Sequence, residues 1–88
     1  MQVRKFFVYH GRVQGVGFRY TAKRLAQSLG LTGWVKNEYN GTVTMELQGE
    51  ETSIYKLMEG LNRDIYIEIE WIDSETVDLK EESCFCVK

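Results

Sequence analysis

VRKFFVYHGRVQGVGFRYTAKRLAQSLG, residues 3–30, changes its apolar period halfway along. Val3 to Tyr9 is rich in aromatic and β-branched residues, with Phe6 and Val8 on one side and Phe7 and Tyr9 on the other, which predicts a central strand. From Phe18 the apolar residues fall at Phe18, Ala22, Leu25, Ala26 and Leu29, the spacing of an amphipathic helix, and Gly30 stands where such a helix ends. Strand and helix are joined through GRVQGVGFRY, residues 11–20, a decapeptide with three glycines and two arginines.

Outward from this unit, Thr32 to Asn37 and Thr42 to Gln48 read as two strands joined by a short turn, because Asn40-Gly41 readily supplies positive φ angles. Val43, Met45 and Leu47 alternate with Thr44, Glu46 and Gln48, so one face of that strand is expected to be wet. Ile54, Leu57, Met58 and Leu61 mark a second amphipathic helix, with Glu50 and Glu51 near its start, where the helix dipole favours acids. Ile65, Ile67, Ile69 and Trp71 alternate with Tyr66, Glu68 and Glu70 in a fourth strand, and Cys84 to Lys88 reads as a short fifth. Strand, helix, strand, strand, helix, strand is the split βαβ order. It predicts an α+β, ferredoxin-like two-layer sandwich, with two helices on one face of a mostly antiparallel sheet and the fifth strand added at an edge.

The 88 residues are read as a single domain, 1–88, without proline, repeat or linker-like segment. Apolar residues make up 43% and charged residues 27%, and no apolar run is long enough to span a bilayer. The N-terminus has neither the apolar core nor the cleavage site of a signal peptide, which places the protein in the cytosol with no membrane partner. A net charge of −2 and a pI near 5.4 weigh against extended nucleic-acid binding. Lysine and arginine nevertheless crowd positions 4 to 24 while most acids lie between 38 and 82, so an anion is better received by the first half.

The glycine-rich junction fits that role. Glycines let the backbone curl so that several N–H groups point into one concavity, beside a helix N-terminus that carries partial positive charge. Arg19 falls in the first helical turn, where the dipole disfavours a cation unless a bound anion offsets it, and a guanidinium can grip a phosphate in two places. Other chemistries lack their parts. His10 is the single histidine and reads as a polar residue ending a strand, so there is no Ser-His-Asp set. No Walker lysine or acidic cluster accompanies the loop. Cys84 and Cys86 read as ordinary strand thiols, and no metal site is expected. Asn37 can orient a water through its amide, but an asparagine beside a turn also serves local backbone hydrogen bonds, and both readings stand at this point.

GRVQGVGFR at 11–19, GWVKN at 33–37 and NGTV at 40–43 closely resemble the acylphosphatase family, and the similarity spans nearly the whole chain. The resemblance implies the sandwich already deduced and a small, metal-free, cofactor-independent enzyme that hydrolyses the carboxyl-phosphate bond of acyl phosphates to carboxylate and inorganic phosphate. By position, it implies that Arg19 binds the phosphate, that Asn37 positions the water, and that the backbone of Gln14, Gly15, Val16, Gly17 and Phe18 forms the cradle. Such a sparse site suffices. The leaving carboxylate has a conjugate acid of pKa about 4 and needs no general acid, and the phosphate itself can accept the water's proton.

Glu50 stands where the family often has proline, and Cys84 and Cys86 flank the core phenylalanine, here Phe85. Phe85 and Val87 are expected to face the core, Cys84 and Cys86 outward; Phe18, Trp34 and the first-strand aromatics are read as core. The expected partner is a small-molecule acyl phosphate, with no nucleic acid, and the expected state a monomer. Two alternatives come from other classes. One is a phosphate or metabolite sensor without turnover; the other is an RNA-binding module, which the acids Glu46, Glu68 and Glu70 on or near the sheet face disfavour.

Overall fold

The alternating first stretch forms β1 (Gln2–Arg12) in a computed structural model that describes all residues 1–88. It is followed by α1 (Phe18–Leu29), β2 (Thr32–Asn37), β3 (Val43–Glu50), α2 (Glu51–Arg63), β4 (Glu68–Val77) and β5 (Phe85–Val87). The strands form one sheet in the order β4-β1-β3-β2-β5. All pairings are antiparallel except that of β2 with β5, so β5 is the edge strand the pattern predicted. Phe7 and Tyr9 of β1 and Val43, Met45 and Leu47 of β3 meet Ala22 and Ala26 of α1 and Ile54, Leu57 and Leu61 of α2 in one buried core. α1 stops where its sequence says it should. Gly30 takes φ 70°, its N–H and that of Leu31 bond back to Gln27 and Ala26, and buried Leu31 completes this capping turn.

The fourth strand departs from its expected bounds and register. It begins at Glu68, leaving Ile65 outside and 84% exposed, and continues to Val77. His10 pairs with Trp71 but Gly11 pairs with Ile69, so Glu70 is one residue too many. An extra residue in a ladder of period two reverses which side chains face in. Ile67 and Ile69 accordingly point to the core, the inward role passes to Ile72, and Trp71 turns outward. There it stacks on His10, ring centroids 4.2 Å apart. His10 therefore lies within β1 rather than at its end, and its Nε2 is 2.8 Å from Asp73 Oδ2. Gly11 is required opposite this bulge: it holds φ 129°, and a Cβ would come 2.3 Å from the Glu68 carbonyl oxygen.

The other face of the sheet is less wet than expected, because the segment 78–84 crosses it. Arg4, 1% exposed, donates to Glu46 and Gln48 of β3 and by both terminal nitrogens to Glu82, at 2.7 and 3.2 Å. Gln48 fixes the segment's backbone by accepting from the Lys80 N–H at 2.9 Å and donating to its carbonyl at 2.8 Å. These contacts hold the Glu82 carboxyl below the usual glutamate range, chiefly through its hydrogen bond from Arg4, and push Arg4 up. Trp34 belongs to this face and not to the core: it is half-buried, 6.3 Å from the Phe6 ring, with the Lys88 ammonium 4.5 Å above it. In β5, Phe85 is buried and both cysteines are exposed as expected, but Val87 is exposed too, at the wall of a surface pocket.

Candidate active site

β1 ends at Arg12, buried Val13 pins the chain to the core, and residues 14–17 loop over to the first turn of α1. Gly15 and Gly17 hold φ 73° and 83°; a Cβ on either would meet nothing, so glycine serves conformation there, not space. Gly17 caps α1 without a side-chain hydrogen bond, and no acid stands in the first turn. The N–H groups of Gln14, Gly15, Val16 and Gly17 donate to no other protein group; the first bond of the helix runs from Thr21 N–H to the Gly17 carbonyl at 3.0 Å. The positive end of the helix and several backbone donors are thus left to an anion from outside.

A second loop is stitched to the first. The Gln14 side-chain amide donates to the carbonyls of Glu38 and Thr42, at 2.7 and 2.9 Å, tying the glycine loop to the β2–β3 turn. Within that turn the local hydrogen bonding falls to Asn40, whose Oδ1 accepts from the N–H and the hydroxyl of Thr42. Thr44 donates to the Glu38 carboxylate at 2.6 Å. Asn37, at the end of β2, takes no part in the turn, and its Oδ1 is buried without a hydrogen-bond partner. Buried polar atoms in native proteins are nearly always paired, so an orphan acceptor at a pocket wall calls for a donor that arrives with a ligand.

The two loops and β5 enclose a pocket of about 380 Å³ lined by Val13, Gly15, Gly17, Phe18, Arg19, Tyr20, Lys23, Asn37 and Val87, with no acid among them. Arg19 is half-buried and makes a single hydrogen bond, from Nη1 to the main-chain oxygen of Lys88 at 3.1 Å, which leaves most of its donors free. Of the expected site residues, Gly15, Gly17, Phe18, Arg19 and Asn37 line this one pocket. Gln14 and Val16 line a neighbouring hollow with Arg12, Ile65, Tyr66 and Glu68, and Gly15 borders both. His10, Cys84 and Cys86 line neither. No cluster of three or more His, Cys, Asp or Glu side chains stands where it could hold a metal ion.

Sequence reading missed the bridge made by the Gln14 side chain and missed Tyr20, Lys23 and Val87 in the wall. Lys23 was within reach, because it follows Arg19 by four positions on a helix and so shares its face. As a whole the arrangement offers backbone donors, a guanidinium and an amide acceptor around one space, which suits a phosphoryl group and a water.

A family model described as acylphosphatase matches residues 5–86. An acylphosphatase of Picrophilus torridus is 41% identical over 70 residues, covering 78% of this chain and 86% of that protein. One from Clostridium perfringens strain SM101 is 44% identical over 82 residues, 90% of this chain and 92% of that one. The solved structure of an acylphosphatase from Coxiella burnetii superimposes with a TM-score of 0.90 at 32% identity, over 99% of this chain and 93% of the other.

Proposed function

The chain belongs to the acylphosphatase family, enzymes that hydrolyse acyl phosphates, and from that premise we propose how its own residues carry the reaction. The phosphoryl group of an acyl phosphate sits against the N–H groups of Gln14, Gly15, Val16, Gly17 and Phe18 and is gripped by Arg19. Asn37 Oδ1 accepts a hydrogen bond from a water held opposite the acyl oxygen. The observation that carries this reading is the buried, unpartnered Asn37 Oδ1 in the same pocket as an Arg19 that no side-chain carboxylate neutralises.

The water oxygen bonds to phosphorus as the phosphorus–acyl oxygen bond breaks. One water proton stays on the new oxygen and the other passes to a phosphoryl oxygen, giving carboxylate and dihydrogen phosphate. A carboxylate of conjugate-acid pKa about 4 leaves without protonation, so positioning and charge stabilisation carry the catalysis and neither a general acid nor a metal is required. A histidine base is not called on: His10 is bonded to Asp73 and stacked on Trp71, outside the pocket lining. The same reading takes the protein as a cytoplasmic monomer without cofactor, nucleic-acid or membrane partner; no helix is long and apolar enough to cross a membrane.

Loss of benzoyl phosphate in the presence of a metal chelator, compared across wild type, Arg19→Ala and Asn37→Ala, tests the reading. Chelator-resistant hydrolysis that both substitutions abolish supports it. Folded wild type that binds phosphate without hydrolysing benzoyl phosphate would replace it with the sensor reading.

A further inference from the structure

Cys84 and Cys86 are the only cysteines of the chain, and neither the core nor the proposed reaction uses them. Both are exposed, and their sulfurs lie 3.5 Å apart. Residues two apart in a strand are spaced by about 6.6 Å along it, so these side chains have turned toward each other. The Cys84 thiol is pushed up chiefly by the hydrogen bond it shares with Cys86, while the nearby Lys23 ammonium draws it down. The pair sits against the pocket. β5 has three residues and pairs only with β2, at the sheet edge. At its ends the Cys84 carbonyl accepts from the Gly33 N–H at 3.3 Å, and the Lys88 N–H donates to the Val35 carbonyl at 2.8 Å. Val87 forms part of the pocket wall, and the main-chain oxygen of Lys88 is the one acceptor that Arg19 has within the protein. A change of backbone at 84–86 is therefore passed directly to the wall and to the anchor of Arg19.

We propose that Cys84 and Cys86 are a modification site, oxidised to an intrachain disulfide by a low-molecular-weight disulfide, and that the oxidised strand loosens the pocket's hold on phosphate. One protein sulfur, as thiolate, attacks the reagent, forming a mixed disulfide and expelling one reagent thiolate. The other cysteine, its proton released to solvent, then attacks the protein sulfur of the mixed disulfide and expels the second. The chain gives up two electrons and two protons, and the reagent becomes two thiols. The sulfurs must close from 3.5 Å to about 2.05 Å, and a disulfide prefers Cα atoms about 5.5–6 Å apart, so bonding draws the extended backbone together. A three-residue edge strand resists this little. The displacement falls on Val87 and Lys88, and Arg19 loses its fixed position. An exposed disulfide of this kind is transient in a reducing compartment, which suits sensing and not structural cross-linking. Its effect on turnover rests on the acylphosphatase reading; its effect on phosphate binding does not.

The experiment treats reduced wild type and the double variant Cys84→Ser, Cys86→Ser with glutathione disulfide. Intact mass, thiols open to iodoacetamide and affinity for inorganic phosphate are measured before, after, and again after dithiothreitol. Wild type is expected to remain a single chain, lose two hydrogen atoms and leave no thiol to label. Its Kd for phosphate rises about threefold to tenfold, the scale of one hydrogen bond, kcat/KM for benzoyl phosphate falls in step, and dithiothreitol reverses every change. The double variant keeps the affinity and activity of reduced wild type throughout. Thiols that stay reduced, a lasting glutathione adduct, a disulfide-linked dimer, or an internal disulfide that leaves phosphate affinity unchanged would each overturn the proposal. Reduced wild type that never hydrolyses benzoyl phosphate would overturn the acylphosphatase reading alone, because mass and phosphate affinity still decide the thiol site.

Discussion

Arg4 and Arg19 are the same residue put to opposite uses. Arg4 lies on the outer sheet face under the segment 78–84, almost wholly buried, with donors committed to Glu46, Gln48 and Glu82. Arg19 stands at the start of α1, half-buried, with one hydrogen bond, to the main-chain oxygen of Lys88, and no side-chain carboxylate. A saturated guanidinium has nothing left to offer a ligand and holds two parts of the chain together. An unsaturated one, placed where the helix dipole opposes it, keeps donors free for an anion. Degree of saturation, more than charge, separates the arginine that ties the chain together from the one proposed to grip the phosphate.

The sharpest way to break this contrast is to remove each side chain in turn. Arg19→Ala is expected to lower kcat/KM for benzoyl phosphate by about 10³-fold or more, the scale of an arginine acting on a transferring phosphoryl group, with the urea midpoint nearly unmoved. An Arg19 variant inhibited by inorganic phosphate as strongly as wild type would dissolve the distinction. Arg4→Met should do the reverse: stability falls by about 2 kcal/mol, because Glu46 and Glu82 lose the charge between them, while turnover per folded molecule holds.

A finer contrast lies between the two buried polar atoms that lack partners, Asn37 Oδ1 at the pocket and the Tyr9 hydroxyl. The Tyr9 ring sits in the core 5.0 Å from that of Phe18, and burial without a partner raises the pKa of its hydroxyl. Tyr9→Phe removes an unmade hydrogen bond and is expected to raise stability by about 1 kcal/mol with activity retained; a loss of activity would move Tyr9 into the site.

The smallest effect concerns pH. Glu82 has its pKa lowered by the hydrogen bond from Arg4, so the stability it adds is fully present above the ordinary glutamate pKa of about 4.3 and is lost as pH falls through the lower folded value. Glu82→Gln should therefore unfold more easily than wild type near neutrality and converge with it in acid, a difference that denaturant melts at several pH values would reveal.

How far the sequence carried the fold depended on whether pattern or contact made each feature. α1 and β2 matched their expected bounds because a helical stripe closed by Gly30 and a short strand before Asn40-Gly41 are local signals. β4 slipped because one inserted residue at Glu70 reverses alternation, and no run of isoleucines reveals it; Gly11, read as the head of the glycine-rich junction, proves to lie inside β1 opposite the bulge. The covering of the outer face was illegible, since the ion pairs that hold the segment 78–84 join Arg4 to Glu82 across most of the chain. At the candidate site, resemblance named Arg19 and Asn37, whereas their convergence in one pocket and the absence of any partner for Asn37 Oδ1 emerge only in three dimensions.

The division of labour between Arg19 and Asn37 is tested most directly on Asn37→Ala, by measuring kcat for benzoyl phosphate and the inhibition constant of inorganic phosphate in the same preparation. The account predicts that kcat falls by about 10²-fold or more, the order lost with one preorganised polar contact at a reacting group, while phosphate inhibits as well as it does wild type. Phosphate inhibition that weakens in step with kcat, or a kcat that does not fall, would contradict it.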